Sequence, residues 1–264
     1  MGFLLFHVGD LPPVRRSFPL RRAFPVLAAL ALCACAYNPE LGRQQMTIVD
    51  DASLAQAGEQ AWSQALAKST VSRDRAANAR VRSVGQRVVN AAGLGQRPWD
   101  YAVFEDAAPN AFVLPGGHVG VTTGLLTIVD NDDQLAAVIG HEAGHVVARH
   151  AAERQSQTLT SSLVLGVLGA AAGSSDAARA ISSYGGAGAK YGFLLPFSRK
   201  QELEADRLGV DFMQRAGYRP REAVILWLHM QANGGSNTPQ FASTHPSDAT
   251  RIAALEAYIA QRGW

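Results

Sequence analysis

His141, Glu142 and His145 stand in the order His-Glu-x-x-His within "VIGHEAGHVVARH", residues 138–150. On a helix, residues four apart leave the same face about one turn apart. Two imidazoles can then meet one zinc ion. Glu142 lies about 100° round the helix from His141, still on the same side. It can reach a water held by the zinc, whose pKa falls towards 7, and take its proton. Ala143 and Gly144 are small and leave room. The pattern alone is weak, because these residue types meet by chance on many helices. A catalytic zinc also needs a third protein ligand and an open position.

His150 follows His141 by nine residues, which on an unbroken helix puts it on the opposite face, as a surface or capping residue. His118 alternates along a strand with no obvious partner. His229, on an apolar helix, reads as a core histidine. The acids of "QELEADRLG" fit better. Glu202 and Asp206 are four apart and share a face, so Glu202 can bind zinc while Asp206 accepts the spare N–H of a ligand histidine. Glu204, about 200° from Glu202, points away. An acidic, solvated helix face is the plain alternative.

These residues need helices to hold them. "NDDQLAAVIGHEAGHVVARHAAERQ" is a strong helical stretch, with Asn131 or Asp132 as cap and acids in its first turn. "SRKQELEADRLGVDFMQRAGY" is a second, stopping at Gly217. Others are expected over about 58–93, from Pro220, and at the end of the chain. "WDYAVFED" (99–106) alternates as a strand. "NAFVLPGGHVGVTTGLL" (110–126) reads as strand, turn, strand and the start of a helix. Residues 36–57 read as a polar tether. Residues 156–197, rich in Ala, Gly and Ser, read as a mobile helical insertion, since the apolar run 163–172 is about half what a bilayer requires.

Four stretches in order, "NAFVLPGG" (110–117), "HEAGHVVARH" (141–150), "SRKQELEADRLG" (198–209) and "STHPSD" (243–248), are jointly specific. Through them the chain resembles the HtpX-like zinc endopeptidases, a family that includes the CAAX prenyl endopeptidases and the mitochondrial Oma-type proteases. The resemblance covers roughly 58–262. It implies a gluzincin-like α+β domain, mostly helical, with a small sheet beside the active-site helix. It implies one zinc per chain held by His141, His145 and Glu202, with Glu142 as the base and Asp206 supporting a ligand. Asn110, Ala111 and Phe112 would line an edge strand that pairs with the substrate backbone; an ordinary hairpin strand is the alternative. The family places a His-Pro loop near the metal. His245 can stabilise the oxyanion, bind zinc as a fourth ligand and hold the enzyme latent, or simply start the turn before the last helix.

The chain departs from membrane-spanning members of that family. No span follows the leader, which argues against a prenylated substrate buried in a bilayer. No C-terminal helical repeats follow the domain. It looks like the compact lipoprotein branch, acting in envelope quality control.

The bulk numbers agree with a globular exported protein. The chain has 264 residues, 47% hydrophobic and 17% charged, with 24 Lys and Arg against 22 Asp and Glu. Residues 1–34 hold four of those bases and one acid, Asp10; 20 bases against 21 acids remain. The basicity belongs to the leader, and no nucleic-acid footprint is left. Arginines precede the short apolar run "AFPVLAALALCACA", as in an export signal. "LCAC" places Leu32 and Ala34 ahead of Cys35 as in a bacterial lipobox, so Cys35 is the expected lipidated residue; a cleaved signal with a spare thiol is the alternative. "RRSF" and "RRAF" loosely resemble twin-arginine signals. Ala36, not Asp, follows the cysteine, which leans towards the outer membrane.

The expected layout is a signal at 1–34, a lipidated cysteine and tether at 35–57, and a peptidase domain at 58–264. The expected substrates are unfolded or misassembled envelope proteins, with the membrane and outer-membrane assembly machinery as candidate partners. A chaperone or assembly factor that keeps the fold without turnover is the rival.

Overall fold

In the computed structural model the described residues are 35–171, 197–233, 245 and 249–264; of 164–171 only the backbone is described. The leader, residues 172–196 of the expected insertion, and all of "STHPSD" except His245 lie outside them.

Ala36–Trp264 forms one unit. The stretch expected as a tether contains a hairpin, β1 (Cys35–Asn38) and β2 (Arg43–Met46), followed by the start of helix α1 (Asp51–Lys68). Its polar residues had suggested solvated chain. Instead Asn38 and Gln45 are buried, and both donate to the Ala148 carbonyl, at 3.3 and 2.7 Å.

Helix α2 (Arg75–Ala91) is capped by Asp74, whose carboxylate accepts from the Ala76 and Ala77 N–H groups. Strands β3 (Asp100–Phe104), β4 (Ala111–Leu114) and β5 (His118–Thr122) form a sheet in the order β3-β5-β4. β3 runs parallel to β5, and β4 antiparallel to it through the turn at Pro115-Gly116-Gly117. The left-handed backbone of Gly116 and Gly117, φ 107° and 105°, is open to glycine and strained for other residues. β4 is therefore an edge strand.

Short helix α3 (Thr123–Leu126) leads to α4 (Asp132–Val147), which carries His141 and His145. Asn131 caps α4 by accepting from the Gln134 N–H, and Asp132 and Asp133 fill its first turn. Every residue from Gln134 to His145 is buried, so α4 is the central helix. Then come α5 (His150–Ala171), α6 (Arg199–Arg215), α7 (Arg221–Asn233) and α8 (Ala249–Arg262). Ser198 caps α6 in a reciprocal capping box with Gln201.

The main core lies between the sheet and the helices. Val84 and Val88 of α2, Val103, Val121, Leu135, Ile139, Phe212, Leu226 and Leu255 belong to it. Trp62, Phe104 and Leu114 make a smaller cluster around α1. Each fully buried aliphatic side chain contributes roughly 1.5–3 kcal/mol. Among the described residues no helix is long and apolar enough to cross a membrane.

Two glycines of α4 set the depth of the site. A Cβ on Gly144 would lie 2.7 Å from the Ala205 carbonyl oxygen, and one on Gly140 3.0 Å from that of Gly209. The α4 and α6 backbones touch there, with no side chain between them. Gly144 thus makes room for a helix rather than for substrate.

Candidate active site

The close crossing brings the acids of α6 under the histidines of α4. His141 Nε2 and His145 Nε2 are 3.1 Å apart. Glu202 Oε2 lies 3.4 Å from His141 Nε2, and its Oε1 3.5 Å from His145 Nε2. His245 Nδ1 is 3.2 Å from His141 Nε2 and from Glu202 Oε1. All four residues are buried, and their donor atoms fall within 4.8 Å of one another.

This set fits zinc. With Zn–N bonds of about 2.0–2.1 Å, a tetrahedral site has edges of about 3.3–3.4 Å, the spacing seen here. Imidazole and carboxylate are zinc donors, and no apolar group separates them.

Asp206 Oδ1 is 2.8 Å from His141 Nδ1. Arg251 of α8 holds Asp206, its Nε at 2.8 Å from Oδ2 and its NH2 at 2.7 Å from Oδ1. Its NH1 is 2.7 Å from Glu202 Oε2. Trp227 covers the Arg251 guanidinium at 4.2 Å and meets His141 edge-on. Burial works against the charge of Asp206, but Arg251 and His141 hold its carboxyl below the usual range. Burial likewise opposes, and hydrogen bonds from His141 and His245 outweigh it, for Glu202, whose carboxyl is also lowered. Burial would lower His141, yet Asp206 and Glu202 carry it to about 9. Burial, then the neighbouring His141, hold His145 well below its ordinary value.

Glu142 faces a cleft of about 1040 Å³ lined by Asn110, Ala111, Phe112, His145, Phe197 and His245, among others. Burial raises its carboxyl, with His245 and His141 pulling the other way. Its Oε1 is 3.2 Å from His245 Nε2. His245 thus points one ring nitrogen at the donor set and the other at Glu142.

The β4 register defines the cleft wall. The Thr122 N–H donates to the Asn110 carbonyl at 2.9 Å, and that of Gly117 to Leu114 at 3.2 Å. Antiparallel pairs alternate, so Asn110, Phe112 and Leu114 spend their backbone groups on β5. Ala111 and Val113 turn theirs outward.

His150 is fully buried, its Nδ1 2.9 Å from His145 Nδ1. The helix does not continue as the nine-residue spacing assumed. It breaks at Arg149, φ 54°, and a new helix starts at His150. Glu204 does point away from the donor set, but towards His150 Nε2 at 3.0 Å. His118 has partners, stacking on Trp62 and lying 3.0 Å from Glu59 and 3.3 Å from Asp100. His229 is no core residue; its side chain is 41% exposed and 3.3 Å from Asp130. Cys35, exposed, opens β1. Phe197, stacked on His145 with centroids 3.8 Å apart, and Arg251 carried no sequence signal.

A His-Glu-x-x-His helix crossed by a second helix that brings a glutamate to the same point is the gluzincin arrangement. Residues 75–259 match the model of peptidase family M48, and the chain belongs to that family, whose metallopeptidases use zinc. It is 40% identical over 181 residues to the mitochondrial metalloendopeptidase OMA1 of Schizosaccharomyces pombe, across 68% of this chain and 52% of that one. It is 39% identical over 170 residues to the Saccharomyces cerevisiae protein of the same name, across 61% and 47%. It is 33% identical over 181 residues to the beta-barrel assembly-enhancing protease of Escherichia coli K12, across 66% and 37%. The chain thus spans about half or less of the length of these relatives.

Proposed function

We propose that this protein is a zinc-dependent endopeptidase that hydrolyses peptide bonds in unfolded or unassembled envelope proteins. In this reading it works from a lipid on Cys35 at the periplasmic face of a bacterial membrane, the outer one. The observation that carries the peptidase reading is the convergence of His141, His145 and Glu202 beside Glu142, in one cleft with an edge strand. Similarity to a protease named for β-barrel assembly supports the envelope setting. The lipobox-like "LCAC" supports the anchor.

His141, His145 and Glu202 hold the metal, and Asp206 orients His141 through Nδ1. Bound zinc supplies polarisation of the scissile carbonyl and a more acidic water. Glu142 takes that water's proton and passes it to the leaving amine. Burial raises its carboxyl above the ordinary value, the direction that helps a group both take and return a proton. A substrate strand beside β4 can bond the outward groups of Ala111 and the Val113 carbonyl, while the Val113 N–H is turned to the Glu142 carboxyl. Backbone pairing tolerates many sequences. Asn110, Ala111 and Phe112 line this wall.

His245 carries a second reading. Its Nδ1 stands where a fourth ligand would, and four protein donors leave no open position. In this reading the resting enzyme is latent, and His245 must swing away.

The test is cleavage of casein by the zinc-loaded mature protein beside Glu142→Gln and His245→Ala. Cleavage by wild type that Glu142→Gln abolishes is expected, and a faster His245→Ala supports latency. A slower or unchanged His245→Ala ends the latency reading. No cleavage by any of the three, with zinc bound, overturns the peptidase reading in favour of a chaperone.

A further inference from the structure

We propose that His150, Glu204 and Arg43 form a positioning chain that fixes His145 from the side opposite Asp206. This makes the N-terminal hairpin, residues 35–46, a working part of the metal site. The inference rests on the reading of His145 as a zinc ligand.

The argument is one of proton polarity. His145 Nε2 is the nitrogen among the donor atoms, so its lone pair must face the metal. Its Nδ1 then carries the proton and needs an acceptor. Nδ1 of His150, 2.9 Å away, is that acceptor, which leaves the His150 proton on Nε2. That Nε2–H points at Glu204 Oε2, 3.0 Å away. Reversing any one link sets two protons, or two lone pairs, face to face inside the protein. A buried carboxylate at the far end thus selects the His145 tautomer through an intervening imidazole.

Arg43 fixes that carboxylate. Its Nε donates to Glu204 Oε1 at 2.6 Å and its NH2 to Oε2 at 2.8 Å. The same guanidinium holds Glu153, NH1 to Oε1 at 2.6 Å and NH2 to Oε2 at 2.9 Å. Gln201 and Gln45 complete Glu153 at 3.0 and 3.2 Å. Arg43 lies on β2. The same hairpin ties the Ala148 carbonyl, one residue before the break at Arg149, through Asn38 and Gln45. The hairpin therefore holds both the carboxylate that ends the chain and the bend that aims His150. A surface salt bridge would be worth little, but here the side chains of Arg43, Glu204 and Glu153 are only 16%, 14% and 7% exposed.

The test is zinc affinity of the mature protein, by chelator competition, with the absorption spectrum of the cobalt(II)-loaded form as a second readout. Urea unfolding of each metal-free variant confirms that folded protein is compared. Removing a partner that orients a metal ligand costs about 10–100-fold in affinity. His150→Leu is expected to lose that much. His150→Asn, whose amide oxygen can accept where Nδ1 does, is expected to recover most of it. Arg43→Ala is expected to weaken zinc less and Arg43→Lys to restore part. Equal affinity and spectrum in wild type and His150→Leu, while His145→Ala loses zinc, overturns the proposal and leaves the zinc reading standing. Equal losses in His150→Leu and His150→Asn overturn it too. If the His150 variants do not fold, Arg43→Ala decides, and wild-type affinity and spectrum there overturn it. Wild type that binds no zinc overturns both readings.

Discussion

Arg251 holds Asp206 through two nitrogens and touches Glu202 with the third, joining two carboxylates one turn apart on α6. Its side chain is 1% exposed, as is that of Glu202. A metal held by Glu202 would add positive charge on one side of it; Arg251 supplies positive charge on the other.

Removing Arg251 leaves two buried carboxylates short of a cation. Breaking such a pair costs about 3–5 kcal/mol. Arg251→Met is expected to lose that much in urea unfolding of the metal-free protein. Arg251→Lys is expected to lose most of it, because one ammonium cannot replace three guanidinium contacts. Stability unchanged in Arg251→Met would show that the carboxylates are satisfied by other means.

The alternating register of β4 separates two proline substitutions. Val113→Pro removes an N–H that points outward to the Glu142 carboxyl, and Phe112→Pro removes one that serves the ladder to β5. Val113→Pro is expected to stay folded and bind zinc while kcat/KM on an unfolded protein falls about 3–10-fold, the worth of the hydrogen bond that Glu142 loses. Phe112→Pro is expected to lower the melting temperature instead. Similar melting temperatures for the two would mean the outward groups have been assigned to the wrong residues.

Acid should open the clamp at Glu204. Burial opposes its charge, yet hydrogen bonds from His150 and Arg43 lower its pKa to about 2. A carboxyl lowered on folding adds stability that is complete above its unfolded pKa and is lost as pH falls through the folded one. For Glu204 the loss runs from roughly pH 4.5 down to about 2. Arg43→Met, lacking the cation, should be less stable than wild type at pH 6, with a gap that narrows by pH 3. Urea midpoints at the two pH values measure it; a constant gap would contradict the clamp.

The parts of the site legible in the sequence are those set by helix period. His141 and His145, and Glu202 and Asp206, each lie four apart on an unbroken helix, so their shared faces follow from spacing alone. The strand-turn-strand of 110–122 was equally plain from its Pro-Gly-Gly. What spacing could not supply was a change of period. Arg149 takes a left-handed backbone without being glycine, and that one residue moves His150 from the surface to the interior. Nor could spacing show partners far along the chain. Arg43 meets Glu204 at a separation of 161 residues, and Arg251 meets Asp206 at 45. In their own neighbourhoods both look like ordinary charged residues, which is why 35–57 read as tether.

The wide reach of these partners bears on how the enzyme is made. From Arg43 to Arg251, the groups that steady the two histidines come from almost the full length of the folded unit. Synthesis from the N-terminus presents β2 first, then α4, and only later α6 and α8. Until residue 251 has emerged, His141 lacks the arginine behind its aspartate and Arg43 has waited through most of synthesis for its carboxylates. Assembly of the site therefore waits for nearly the whole unit, so that a chain cut short before α8 would carry the His-Glu-x-x-His helix without the groups that steady it.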